Sequence, residues 1–226
     1  MQQVAPGVHW VTHRNANMYL LADGDRLALV DTGFPGSEAP ILAAVGALGH
    51  RPRDLANIVL THAHYDHVGA AAALVAATGA RTWMHPLDAA LTGVGCASRA
   101  AKAAPGLLGA ILFRIYAQPG RTVAPVRIDE RVEDGAVLPL AGGLQVVGIP
   151  GHCAGQIALL HADTGVCFVG DVAMNVMGLG DPIGFEDVAE GRRSQRRIGA
   201  LDFRIACFGH GAPLHDAPGR FRAKWG

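Results

Sequence analysis

Within six positions the chain places His62, His64, Asp66 and His67, in the run His62-Ala63-His64-Tyr65-Asp66-His67, directly after the apolar triplet Ile58-Val59-Leu60. Imidazoles and carboxylates are the donors that hold borderline cations such as zinc. A short β-branched apolar run reads as a buried strand, so these donors stand where a strand gives way to a loop. Metal-assisted hydrolysis is the chemistry they suggest. In an extended segment side chains alternate faces, so His62 and His64, at i and i+2, point the same way and grip one ion together. His152 in Pro150-Gly151-His152, after the expected strand 144–149, adds a third imidazole and leaves a position open for water, as a catalytic site requires.

Asp66 and His67 fall at an expected helix start and face differently from the first pair. With His210 of Gly209-His210-Gly211 they make a second donor set, and Asp171, after the apolar run 166–169, is placed to bridge the two. A water shared by two cations roughly 3.5–4 Å apart loses a proton near neutral pH. Hydroxide is then the expected nucleophile, with Asp66 the catalytic residue that orients it as well as a ligand. Asp31 in Asp31-Thr32-Gly33 reads as a turn residue or an acceptor that orients a ligating histidine. His9, His13, His50, His85, His161 and His215 lack comparable spacing and receive no role.

The pattern His-x-His-x-Asp-His, a later Gly-His, a Gly-Asp after a strand and a last His resembles the metallo-β-lactamase fold superfamily of hydrolases, over approximately residues 8 to 211. The resemblance implies an α/β fold, a four-layer αββα sandwich. It implies two divalent metal ions, zinc foremost with iron or manganese as alternatives. His62, His64 and His152 would hold one metal, Asp66, His67 and His210 the other, with Asp171 between. A carboxylate at Asp171 is closer to the glyoxalase II, lactonase and phosphodiesterase branches than to antibiotic-degrading members, so hydrolysis of a thioester or lactone is expected ahead of a β-lactam or phosphodiester. The chain stops soon after His210, short of the helical domain by which glyoxalase II relatives hold glutathione, and Met174 and Asn175 stand where lactonases often carry tyrosine. Cys153 occupies a position where relatives often have threonine, and is read as a buried filler ahead of a ligand.

Two other readings compete. A persulfide dioxygenase of the same fold would use a single iron on His62, His152 and Asp171. A non-catalytic, metal-stabilised module would bind nucleic acid through Arg192, Arg193, Arg196 and Arg197. The 226 residues carry 19 Lys plus Arg against 19 Asp plus Glu, so no global field favours nucleic acid or an anionic membrane as partner. A small-molecule substrate fits better.

The elements that must position these groups follow from periodicity. Runs 8–12, 17–22 and 27–30 predict an opening antiparallel meander, 37–48 a helix, 58–60 a strand, 68–77 a helix and 81–84 a strand. Strands at 144–149, 156–161 and 166–169, a helix at 188–201 and a strand at 204–208 repeat the plan, so two related sheets with outer helices are expected in one domain spanning 1–226. Residues 87–122, with Gly and Pro at 93, 95, 105, 106, 119 and 120, predict an insert covering the site. Its apolar stretch 107–116 is read as core or pocket lining. No apolar run reaches the roughly 18 residues of a membrane span and no leader pattern opens the chain, so a cytoplasmic protein is expected, with Cys96, Cys153, Cys167 and Cys207 reduced.

Overall fold

Alternation along the strands decides which of three cores each side chain joins. In the computed structural model, which describes residues 1–117 and 120–226, the first half comprises β1 (Gln2–Ala5), β2 (Val8–His13), β3 (Ala16–Asp23), β4 (Arg26–Val30), α1 (Glu38–Ala47), β5 (Leu55–Val59), α2 (Ala71–Thr78) and β6 (Arg81–Met84). There follow α3 (Pro86–Thr92), β7 (Lys102–Ala103), α4 (Leu107–Tyr116), β8 (Glu130–Arg131), β9 (Val137–Leu138), β10 (Leu144–Gly148), β11 (Ile157–His161), β12 (Val166–Gly170) and β13 (Gly184–Phe185). The chain closes with α5 (Val188–Ala200), β14 (Ile205–Phe208), β15 (Leu214–His215) and α6 (Ala217–Trp225).

One sheet has the order β1-β2-β3-β4-β5-β6-β8, antiparallel as far as β4 and parallel beyond it. The other has the order β15-β14-β12-β11-β10-β9, antiparallel except for the β12–β14 pair. Tyr19, Leu21, Ala28 and Val30 of the first sheet pack against Val146, Leu159, Phe168 and Cys207 of the second. The alternate residues Met18, Leu20, Leu27 and Leu29 turn outward beneath Ile41 and Val45 of α1 and Leu74 of α2. On the far side Val147, Ala158, Val169 and Phe208 lie under Ile198 of α5 and Phe221 of α6. The four-layer αββα sandwich is therefore the observed architecture.

Three expectations need correction. The helix expected from residue 68 begins at Ala71. Gly69 N donates to Gly33 O at 2.9 Å, and a Cβ on Gly69 would stand 2.4 Å from Pro35 Cδ, so residues 65–70 are pinned as turns. The stretch 107–116 forms α4, but no residue of it is buried, which removes the core reading. Pro119 of the expected insert lies outside the described residues. The C-terminal α6 was not expected: its buried face is Ala217, Pro218, Phe221 and Trp225, where Phe221 and Trp225, four apart, are the two large apolar groups and Pro218 and Gly219 disguise the rest. Phe221 stacks on Phe208 at 6.3 Å and meets Trp225 at 5.2 Å between ring centroids.

Because Phe221 is fully buried between α6 and the second sheet, Phe221→Ala is expected to lower stability by about 3–5 kcal/mol. Urea denaturation of the two proteins measures this, and a loss below about 1 kcal/mol would contradict the packing role.

Candidate metal centre

Parallel strands end at the same sheet edge, and that rule gathers the donors. Asp31 follows β4, the segment from Thr61 to His67 follows β5, His152 follows β10, Asp171 follows β12 and His210 follows β14. β4 and β5 are parallel, as are β12 and β14. β10 is antiparallel to β11, and β11 to β12, so β10 also ends at that edge.

The seven predicted donors converge there. His62, His64 and His152 form one triad, with ring centroids 4.6–5.0 Å apart, and His152 Nε2 is 2.9 Å from His64 Nδ1. Asp66, His67 and His210 form another, in which His210 Nε2 lies 3.2 Å from Asp66 Oδ2. Asp171 reaches both: its Oδ2 is 3.8 Å from His152 Nε2 and 3.3 Å from His210 Nε2, and its Oδ1 is 3.5 Å from His67 Nε2. His62 and His64 are not in a regular strand as expected. A bend places them, and the two rings still meet edge to face.

Three buried atoms, His62 Nε2, His67 Nε2 and Asp171 Oδ1, have no hydrogen-bond partner among the described residues. Orphaned buried polar atoms are rare and costly. Three in one cluster, drawn from five imidazoles and two carboxylates, fit one or two divalent cations of zinc type. A Cβ on Gly209 would lie 2.1 Å from Asp171 Oδ1 and 2.4 Å from His67 Cε1. Only glycine therefore lets β14 deliver His210 while the other two groups stay in place.

The donors are held from behind. Asp31, in a left-handed conformation at φ 58°, accepts from Thr61 N and Thr61 Oγ1 at 2.8 Å each and faces His67 Nδ1 at 2.9 Å. This is the orienting role its position suggested. Gln156, with its amide turned to satisfy both ends, accepts from Asp171 N at 3.0 Å and Val172 N at 2.8 Å. Sequence reasoning missed Asp88. It is fully buried, accepts from Ala63 N between the two first histidines at 2.8 Å and from Gly155 N at 3.1 Å, and pairs with Arg99 at 2.6 Å. Its only signal was a lone acid inside a short Pro-led helix, which does not reveal a partner far along the chain.

Burial and the neighbouring imidazoles push His64 down to about 3 and His62 well below its ordinary range. Both are neutral at physiological pH, as ligands must be. Burial also works against a charge on His67, but the carboxylates of Asp171 and Asp31 outweigh it and carry that group up to about 10. His210 is raised for the same reasons, burial being overcome by Asp171 and Asp66. In Asp66 and Asp171 burial is outweighed by His210 and His67, and both stay ionised. Tyr65 extends the rim: it meets Phe34 edge on at 6.0 Å, Arg121 lies 5.0 Å over its ring, and Arg14 lies 5.5 Å over Phe34.

The profile of the metallo-beta-lactamase superfamily matches residues 11–210. A hydroxyacylglutathione hydrolase of Cereibacter sphaeroides is 36% identical over 185 residues, covering 81% of this chain and 56% of its own length. An atrochrysone carboxyl ACP thioesterase of Aspergillus fumigatus is 26% identical over 205 residues, 90% of this chain and 53% of the relative. Among solved structures, a metallo-beta-lactamase from Cronobacter sakazakii superposes with TM-score 0.73 at 26% identity, covering 93% of this chain and 81% of that one. The chain spans about half the length of the curated relatives it matches.

A cation entering this cluster must displace the protons of His67 and His210. Zinc binding at pH 7 is therefore expected to release protons and to tighten as pH rises, read by calorimetry in buffers of differing ionisation enthalpy. Absence of proton release would contradict the charge assignment. In metal-free protein the raised His67 contributes stability that is full below the unfolded value near 6.5 and lost as pH climbs toward about 10.

Proposed function

Since this chain belongs to the metallo-beta-lactamase superfamily, we propose that it is a metal-dependent hydrolase of thioesters carrying an apolar acyl group. The observation that carries the reading is Asp171, whose oxygens reach both histidine sets at 3.3–3.8 Å. His62, His64 and His152 would hold one cation and Asp66, His67 and His210 a second, with Asp171 within reach of both sets. Two such cations supply Lewis acidity toward a carbonyl and lower the pKa of water.

The protein's own groups do the rest. Asp66 is the most exposed carboxylate of the cluster, with 28% of its side chain accessible, and remains ionised through His210. It therefore accepts a hydrogen bond from the attacking water and orients it. Asp31, Thr61 and Gln156 hold His67, His62 and the Asp171 backbone in place, so little reorganisation accompanies reaction.

The thioester is chosen on two grounds. The Aspergillus relative is by name a thioesterase, and the Cereibacter relative is by name a hydrolase of hydroxyacylglutathione. The surface beside the cluster is also apolar. Half-buried Leu112 and Phe113 fasten α4, with the Phe113 ring against Gly184, and Gly184 O accepts from His152 Nδ1 at 2.7 Å. Leu108, Ile111 and Ile115 of that helix stay exposed. At the other end Val176 and Met177 are exposed just past Asn175, whose N donates to His210 O at 3.1 Å. A lactone remains the second substrate class.

The competing readings have weaker support. A single iron on His62, His152 and Asp171 leaves the complete second set of Asp66, His67 and His210 without purpose. For nucleic acid, Arg192 pairs with Asp181, Arg193 with Glu190 and Arg197 with Asp134. Those carboxylates offset three of the four arginines that phosphate would need. No helix among the described residues is long and apolar enough to cross a membrane.

His64→Ala and Asp171→Ala are each expected to lower thioester turnover by about three orders of magnitude or more while the circular dichroism spectrum is unchanged. Robust activity in either variant, or one iron per chain with oxygen consumption, would overturn the proposal. Replacing Leu108, Ile111 and Ile115 together by Ser is expected to raise KM about tenfold for a long-chain acyl thioester and to spare an acetyl thioester. Equal KM values for the long-chain substrate would remove α4 from the substrate site.

A further inference from the structure

Each of the five clustered imidazoles turns one nitrogen toward the other donors and one away. Four of the nitrogens turned away meet oxygen. His62 Nδ1 faces Thr61 Oγ1 at 3.0 Å, His67 Nδ1 faces Asp31 Oδ2 at 2.9 Å, His152 Nδ1 faces Gly184 O at 2.7 Å and His210 Nδ1 faces Asn15 O at 2.6 Å. In all four the inward atom is Nε2. His64 is reversed: its Nδ1 is the atom 2.9 Å from His152 Nε2, and its outward Nε2 faces sulfur, Cys153 Sγ, at 3.4 Å.

We propose that Cys153 is the positioning residue for His64, its sulfur accepting the Nε2–H and so fixing the tautomer whose Nδ1 lone pair points to the metal. The proposal rests on the metal reading above. Ligating histidines are oriented by an acceptor on the second nitrogen, and among the described residues Cys153 Sγ is the contact His64 Nε2 has. The thiol cannot drift from that place. Cys153 is buried, Ala154 N is tied to Glu186 Oε2 at 2.9 Å, and Gly155 N is tied to Asp88 Oδ1 at 3.1 Å. Direct ligation by the sulfur is the opposing arrangement, since Cys153 also lies within 4.8 Å of donor atoms of His62, His64 and His152. The outward contact is the shorter one, with Sγ 3.4 Å from Nε2 against 3.9 Å from Nδ1.

A thiol is a weaker acceptor than the oxygens serving the other four rings. His64 is thus the least firmly held of the five rings.

Cobalt(II) titration of the full-length protein tests this through the visible ligand-field bands, apart from turnover. Wild type is expected to bind two cobalt ions without a thiolate-to-cobalt charge-transfer band. Cys153→Ala is expected to weaken one of the two sites by about tenfold or more and leave the other unchanged. Cys153→Ser, of similar volume to Ala but with an acceptor restored, is expected to recover part of that loss. Unchanged cobalt affinities in Cys153→Ala, or equal losses in the Ala and Ser variants, would overturn the positioning role. A charge-transfer band in wild type that disappears in Cys153→Ala would overturn it in favour of ligation. Wild type that binds no cobalt would sink the metal reading itself, a result distinct from these.

Discussion

The carboxylate of Asp171, which faces imidazoles from both halves of the chain, is the contact on which the assembly of the site depends. Its Oδ1 faces His67 of the first sheet's edge and its Oδ2 faces His152 and His210 of the second. Burying five imidazoles and two carboxylates together forfeits their hydration, and three of their atoms recover no hydrogen bond among the described residues. Such a cluster stays assembled only if something else supplies charge. Asp171, Asp31 and Asp66 raise the proton affinity of His67 and His210, which favours positive charge there, and a bound cation would supply it in their place.

The sandwich serves this contact. Strands that run parallel within each sheet finish at one edge, and the inner core of Tyr19, Val30, Val146 and Phe168 fixes how the two sheets stack. Two further clasps join the halves near the site. Asn17 Nδ2 and Tyr19 Oη both donate to Phe208 O, at 3.0 and 2.8 Å, and Asn17 N donates to Gly209 O at 2.9 Å. These bonds seat the turn that carries His210 against the first sheet. On the other flank, Asp88 joins the loop of His62 and His64 to the loop of His152 and Cys153. The ligands are positioned by backbone held in place, so each side chain needs little freedom of its own.

Much of this was legible in the chain itself, for identifiable reasons. The ligand run beside Ile58-Val59-Leu60 and the Gly-flanked His152 and His210 announce themselves because metal chemistry restricts residue type and loops after strands restrict place. The apolar strands show through their period. What was hidden depends on contacts distant in sequence. Asp88 looks like any acid in a short helix, yet its partners are Ala63, Arg99 and Gly155. The buried face of α6, Ala217, Pro218, Phe221 and Trp225, gives two of its four places to a small residue and a proline, which mutes the apolar signal. The apolar stretch of α4 suggested core or pocket lining, and the helix is held through Leu112, Phe113 against Gly184 and Gly109 against Ala104, which leaves its other apolar residues exposed. The bend at His62 is held by Asp31 on Thr61 and Asp88 on Ala63, and the turns from 65 to 70 by Gly69 lying against Pro35, which no local pattern contains.

The central claim is that the donors enclose two cations with Asp171 between them. Anomalous diffraction at the zinc edge, from crystals of zinc-loaded protein, measures this most directly. The account predicts two peaks about 3.5–4 Å apart, one among His62, His64 and His152 and one among Asp66, His67 and His210, each about 2.0–2.2 Å from its ligand atoms. One peak at most, or zinc held outside these seven residues, would contradict it.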